Sequence, residues 1–311
     1  MRFLITGGAG FIGRWVVKRL IEEGHHIIVL DDLSNGSREN LAEFEGTECL
    51  KGLVVGDVRD KSIVEKVFEN KPDVCLHLAA QINVQESIDN PEKAFSVNLE
   101  GTRNILEAAR KRGTKVVFVS TCMVYDIANE PITETGKVNP KSPYAESKLR
   151  AEKTVIEYGV KYDLPVTVLR PFNTYGPFQR SDAEGGVVSI FVKNVLANKP
   201  ISIFGTGEQT RDLLYAEDCA RFILKAAMSD DANGEIINAG TGREISINNL
   251  ARMISQNIAY TEHPHPQSEI MWLVCDSSKA KKLLGWEPKM TLEDGIKKLK
   301  TWMEKQNTAS I

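Results

Sequence analysis

The first 32 residues limit most what this chain can fold into. A short apolar strand over residues 2–5 runs into Thr6-Gly7-Gly8-Ala9-Gly10-Phe11-Ile12-Gly13. Apolar residues at helical spacing follow (Phe11, Ile12, Trp15, Val16, Leu20), and Gly24 closes the segment. A second strand, His26-Ile27-Ile28-Val29-Leu30, ends in Asp31-Asp32. Strand, glycine turn, helix, strand and acid, in that order, predict a nucleotide-binding βαβ unit. Gly7 permits the tight turn, Gly10 lets the backbone approach a pyrophosphate, and Gly13 lets the helix pack closely on the strand. The free N–H groups that open the helix, at Phe11 and Ile12, then face the phosphates. Asp31 falls where a carboxylate accepts hydrogen bonds from the adenosine ribose and repels a 2′-phosphate, which favours NAD over NADP. Arg38, a few residues on, is the one nearby feature that would suit a 2′-phosphate. Asp32 reads as a solvated turn residue before Ser34-Asn35-Gly36.

Alternation continues beyond this unit. Leu53-Val54-Val55 lead into Gly56-Asp57-Val58, and residues 63–68 carry a helical pattern. Val74-Cys75-Leu76-His77-Leu78-Ala79-Ala80 predicts another buried strand, with His77 as a core histidine rather than a base. Residues 91–112 predict one long helix, opened near Pro91 and closed by Gly113. Such βα alternation predicts an α/β chain with a Rossmann-type, doubly wound parallel sheet and its ligand at the strands' C-terminal ends. From about Asn173 the pattern loosens. Helices are expected over 187–197, 215–228, 246–257 (capped by Ser246) and 291–305, with strands over 200–204 and 235–238. This suggests a dinucleotide domain over 1–172 and a smaller substrate lobe over 173–311, with residues 210–230 packing back on the first domain.

Chemistry gathers between Ser120 and Lys148. Ser120-Thr121-Cys122-Met123 follows the apolar run Val116-Val117-Phe118-Val119, and Tyr144 and Lys148 stand four apart, on one helix face. A phenol is too weak an acid to ionise near neutrality unless cations lie beside it. Lys148 and a nicotinamide ring are the expected cations, so that Tyr144 takes a proton from an alcohol as hydride leaves the same carbon. Composition excludes other classes. A net charge of -3 gives no nucleic-acid footprint. No apolar run approaches the length of a membrane span, and the N-terminus turns to glycine too early for a signal peptide. The 5 cysteines are scattered without a CxxC pair, which argues against zinc and fits a reducing cytoplasm. His263-Pro264-His265-Pro266 has no carboxylate cluster near it, so no metal is expected there.

With these pieces in order, the chain resembles the extended short-chain dehydrogenase/reductases, in their NAD-dependent nucleotide-sugar epimerase and dehydratase branch. The matching motifs are the glycine turn, Gly56-Asp57-Val58, His77-Leu78-Ala79-Ala80, Asn98-Leu99-Glu100-Gly101-Thr102, Ser120-Thr121 and Tyr144 to Lys148. Arg170-Pro171-Phe172-Asn173, Arg211-Asp212-Leu213-Leu214-Tyr215 and Leu284-Gly285-Trp286-Glu287-Pro288 complete them, and together they cover nearly the whole length. The resemblance implies that Asp57 and Val58 hold the adenine, and that Leu78, Ala79, Ala80 and Ser120 line the cofactor. It implies that Lys148 binds the nicotinamide ribose and acidifies Tyr144, while Thr121 holds the sugar hydroxyl. Asn173 and Arg211 would meet the diphosphate of a nucleotide sugar; a surface ion pair of Arg211 with Glu208 or Asp212 is the competing reading. Where the family often has a further phosphate-binding arginine, this chain has His265-Pro266-Gln267-Ser268-Glu269, which leaves His265 as a substitute. A homodimer is implied too.

The family's 4,6-dehydratases carry Thr-Asp-Glu where this chain has Thr121-Cys122-Met123. Met123 cannot act as a base, so ordinary dehydration is not expected. Two enzymatic readings remain. In one, Cys122 gives or takes a proton at C5 or C6, as on a 5,6-unsaturated nucleotide sugar, to yield a 4-keto-6-deoxy product. A similar pairing of cysteine with a missing carboxylate marks a dehydratase/epimerase type acting on UDP-N-acetylhexosamines in pseudaminic-acid synthesis. In the other, Cys122 only lines the pocket of a UDP-hexose or UDP-N-acetylhexosamine 4-epimerase. A non-catalytic NAD-binding regulator is the reading from a different class, and retention of Thr121, Tyr144 and Lys148 together speaks against it.

Overall fold

The computed structural model describes residues 1–182, 186–262 and 271–309. The elements begin with β1 (Arg2–Thr6), α1 (Phe11–Glu22), β2 (His26–Asp31), β3 (Leu50–Val55), α2 (Lys61–Phe68) and β4 (Val74–His77). Next come α3 (Val84–Asp89), α4 (Pro91–Phe95), α5 (Gly101–Arg110), β5 (Lys115–Val119), α6 (Pro143–Tyr162) and β6 (Val166–Pro171). The remainder holds β7 (Asn173–Tyr175), α7 (Val187–Leu196), β8 (Ile201–Phe204), β9 (Thr210–Tyr215), α8 (Ala216–Met228) and β10 (Ile236–Ala239). It closes with β11 (Glu244–Ser246), α9 (Ile247–Ile254), β12 (Ile258–Thr261), α10 (Ser278–Leu284) and α11 (Leu292–Ala309).

Seven strands form one parallel sheet in the order β10-β6-β5-β4-β1-β2-β3. The order reverses between β1 and β4, which opens the crevice where ligands of doubly wound sheets bind. Helices cover both faces, so the central strands carry apolar residues on both sides. On one face Val16, Val17 and Leu20 of α1 pack with Phe222 and Ile223 of α8. On the other, Phe68 of α2, Ile105 of α5 and Val155 of α6 close the core. β10 belongs to this sheet although it comes late in the chain. A third apolar cluster joins α7, α9 and α11 to two smaller sheets, β11-β9-β7 and β12-β8.

Two of the differences from the sequence expectation bear on the site. The helix expected over 91–112 is interrupted by a wider π turn at Ser96–Glu100. There the buried Asn98 side chain turns inward, donating to the Gln81 carbonyl (3.0 Å) and to Ser147 Oγ (2.9 Å). Strand β9 was not expected, because Arg211-Asp212 breaks its apolar run. Asp212 is nevertheless fully buried. Its carboxylate accepts from the backbone of Thr241 (2.7 Å), Gly242 (2.9 Å) and Cys275 (3.1 Å), so a charged residue serves as an interior tie.

Candidate active site

Two cavities with shared walls lie at the C-terminal ends of the strands. The first, about 450 Å³, is lined by Gly7, Gly10, Phe11, Ile12 and Gly13 of the glycine turn. Across from them stand Asp31, Val58, Leu78, Ala79, Ala80, Ser120, Tyr144 and Lys148. The turn leaves no room for side chains. Gly7 has φ +73°, and a Cβ there would lie 2.7 Å from the Ala79 nitrogen; one on Gly13 would lie 2.1 Å from the Gly7 carbonyl oxygen. Helix α1 opens on Gly10 with no side-chain cap, so its first N–H groups look into the cavity. Asp31, 6% exposed, accepts from Ala9 N and Leu33 N (2.9 Å each), one bond to each oxygen, and burial raises its pKa. The buried Ser120 hydroxyl has no hydrogen-bond partner among the described residues. An uncapped helix start, a cradle without Cβ atoms, a buried carboxylate and an orphaned hydroxyl suit a dinucleotide's phosphates, ribose and nicotinamide end.

Helix α6 positions the Tyr–Lys pair. Ser142 caps it by accepting from Ala145 N (3.2 Å), and Pro143 occupies its first turn. Lys148 Nζ donates to the Val119 carbonyl (2.8 Å) and lies 4.1 Å from the centre of the Phe118 ring. Burial lowers the Lys148 pKa to about 7, against the raising charge of Glu152. Burial likewise pushes the Tyr144 phenol up to about 12, although a hydrogen bond with Thr121 draws it down. Lys148 alone does not offset that burial, and the sequence expectation counts on a nicotinamide ring as the second cation. A further positive charge at the nicotinamide position is needed.

Cys122 is 2% exposed and packs with Tyr125, Leu149, Phe172, Leu273 and Cys275. Burial pushes its thiol up to about 12; the Arg211 charge opposes that rise and Asp212 adds to it. Tyr144 in turn feels Cys122, so the thiol lies within electrostatic reach of both Tyr144 and Arg211. Neither Thr121 nor Cys122 is among the residues lining the two cavities. Thr121 Oγ1 accepts from Met123 N (3.2 Å) and so caps the short turn that carries Cys122.

The second cavity, about 420 Å³, brings Asn173 and Arg211 together with Phe204 and Gln209, and it shares Gln179 and Gly186 with the first. The Asn173 amide nitrogen is buried without a partner among the described residues, and Arg211 Nη1 donates to the Thr210 carbonyl (2.8 Å). The Asp212 oxygens are occupied by Thr241, Gly242 and Cys275 rather than turned to Arg211. Asp57 does not line the first cavity; it grips Arg59 (Nε at 2.8 Å), and Val58 and Arg59 form the wall instead. His77 is buried between Thr6 (2.6 Å) and Thr102 (2.9 Å), as a core histidine. His263 and His265 lie outside the described residues. Sequence reasoning missed Gln81 and Gln179 in the walls, since neither belongs to a recognisable pattern.

The sequence model described as "NAD dependent epimerase/dehydratase family" matches residues 3–240. The chain belongs to that family. It is therefore an enzyme of this family, and its cofactor is NAD. Among curated relatives, a UDP-glucose 4-epimerase of Mycolicibacterium smegmatis is 38% identical over 305 residues, covering 96% of this chain and 97% of the relative. Among solved structures, Pal from Bacillus thuringiensis superposes with a TM-score of 0.97 at 52% identity, covering 98% of this chain and 100% of that one. The UDP-glucose 4-epimerase of Thermus thermophilus, solved with NAD, gives 0.89 at 34% identity, covering 98% and 99%. Among the described residues, no helix is long and apolar enough to cross a membrane.

Proposed function

We propose that this family member transiently oxidises C4 of a UDP-linked N-acetylhexosamine-type sugar and releases a 4-keto-6-deoxy sugar nucleotide, starting from a 5,6-unsaturated substrate. The observation that carries this reading is the buried thiol of Cys122, within electrostatic reach of Tyr144 and Arg211, where no carboxylate follows Thr121. NAD, when bound, supplies a reversible store for hydride taken from the carbinol carbon. Arg211 and Asn173 hold the diphosphate, Arg211 by charge-assisted hydrogen bonds. Ser120 supplies its unpartnered hydroxyl to the cofactor side. Thr121 orients the sugar 4-hydroxyl, and Tyr144 takes its proton with Lys148 beside it. C4 becomes a ketone conjugated to the C5–C6 double bond. C6 then gains hydride and C5 gains the proton of Cys122. Substrate and product are isomers, and the thiolate recovers its proton from solvent. A thiol held near 12 stays protonated at neutral pH, so Cys122 serves as an acid and not as a resting base. The 52% identity with Pal supports the same branch.

A UDP-hexose 4-epimerase is the second reading, favoured by the names of the mycobacterial and Thermus relatives and by the absence of Cys122 from the cavity walls. Incubation in deuterated water with UDP-N-acetylglucosamine, its 5,6-ene and UDP-glucose separates the two. The first reading expects deuterium at C5 of a 4-keto product from the ene, lost in Cys122→Ala. Inversion at C4 without solvent label would replace it with the epimerase. The working unit is proposed to be a homodimer, which sedimentation would check.

A further inference from the structure

One side chain in the wall of the first cavity has hydrogen-bonding capacity that the protein leaves unused. Gln81 follows Ala79 and Ala80 on the loop after β4 and is 3% exposed. Its Nε2 donates to the Asn83 carbonyl (2.8 Å) and to Glu86 Oε2 (3.1 Å). Both partners are acceptors, which fixes the amide's orientation and leaves Oε1 as the free end. That oxygen is buried and has no partner among the described residues. An amide so placed is an acceptor waiting for a donor.

The rest of Gln81 is clamped relative to the reacting end. Its backbone N–H donates to Asn98 Oδ1 (2.8 Å), and its carbonyl accepts from Asn98 Nδ2 (3.0 Å). The same Asn98 amide donates to Ser147 Oγ (2.9 Å), which donates to the Tyr144 carbonyl (2.7 Å). From below, Ser87 Oγ accepts from the Tyr144 backbone N–H (3.1 Å) at the end of the helix that Asn83 caps. Gln81 and Tyr144 are thus tied together through backbone and line one cavity. Glu86, which holds the amide nitrogen, is itself paired with Lys93, and both line the same cavity.

Resting on the C4-oxidation reading above, we propose that Gln81 Oε1 accepts a hydrogen bond from a hydroxyl of the sugar. It thereby positions the ring against Tyr144.

The test uses the NAD-loaded enzyme, its Gln81→Met variant, a neutral nucleotide sugar that the enzyme oxidises, and analogues of it with single hydroxyls replaced by fluorine. KM for the neutral sugar is expected to rise about tenfold in Gln81→Met, the scale of one buried hydrogen bond lost, with NAD content and kcat little changed. One fluoro analogue should cost wild type the same factor and cost Gln81→Met nothing more, because both changes remove one interaction. Unchanged KM in Gln81→Met overturns the proposal. So does loss of NAD at unchanged KM, which would give the oxygen to the nicotinamide amide. If the variant fails to fold, the analogue series on wild type decides: equal KM for every analogue overturns it. A wild type that oxidises no nucleotide sugar at C4 would instead sink the reaction assigned above, and a binding series by calorimetry would show that as a separate failure.

Discussion

Around the glycine turn the cleft wall is largely backbone, whereas around Arg211 and Asn173 it is made of side chains on short strands. On the cofactor side the helix start at Phe11, the turn at Gly7 and the contact with Ala79 leave few atoms that can change without a clash. Around the second cavity, β7 and β9 pair in a three-stranded sheet that contributes the side chains of Asn173 and Arg211 to the wall. Relatives named for epimerase, dehydratase and decarboxylase activities can therefore share one frame.

The largest effect is expected from Tyr144→Phe, at the reacting end of the first cavity. It should lower kcat by about 10²–10⁴-fold, the range of general acid–base catalysis, while NAD content stays constant. Turnover measured beside the absorbance of released cofactor checks both halves. Next, Arg211→Met should raise KM by about tenfold to a hundredfold, as expected for a charge-assisted hydrogen bond, and leave NAD retention intact. Loss of NAD in that variant would erase the proposed division between the two cavities. Gly13→Ala should do the reverse. A Cβ 2.1 Å from the Gly7 carbonyl oxygen forces the turn apart, at about 1–3 kcal/mol in stability and with loss of NAD, read by thermal melting and cofactor content.

The smallest effect concerns Lys148 in the protein stripped of NAD. Its pKa is lowered on folding to about 7, so the folded chain holds fewer protons than the unfolded one between that value and the ordinary lysine range. Stability should therefore fall as pH drops through this window and level off below about 7. In Lys148→Met that contribution should vanish, as the difference in urea midpoints between variant and wild type across pH would show.

The backbone-built half was legible in the sequence because its constraints act on neighbours in the chain. Gly7, Gly10, Gly13 and Asp31 must stand at fixed spacings for a turn, a helix start and a strand end to meet one ligand. The Tyr144–Lys148 spacing was legible for the same reason, since α6 presents both on one face. The wider turn at Asn98 was hidden because its cause, bonds to Gln81 and Ser147, joins residues far apart in the chain. Strand β9 was hidden by a buried carboxylate whose partners lie 29 to 63 positions away. The depth at which Tyr144 is buried was hidden too, because sequence spacing does not report it.

Transient oxidation at C4 stands or falls on where the hydrogen of that carbon goes. A 5,6-unsaturated nucleotide sugar carrying deuterium at C4 should give a 4-keto product with that deuterium at C6, moved within one active site while solvent supplies C5. Deuterium still at C4 of a product that has otherwise changed would contradict it.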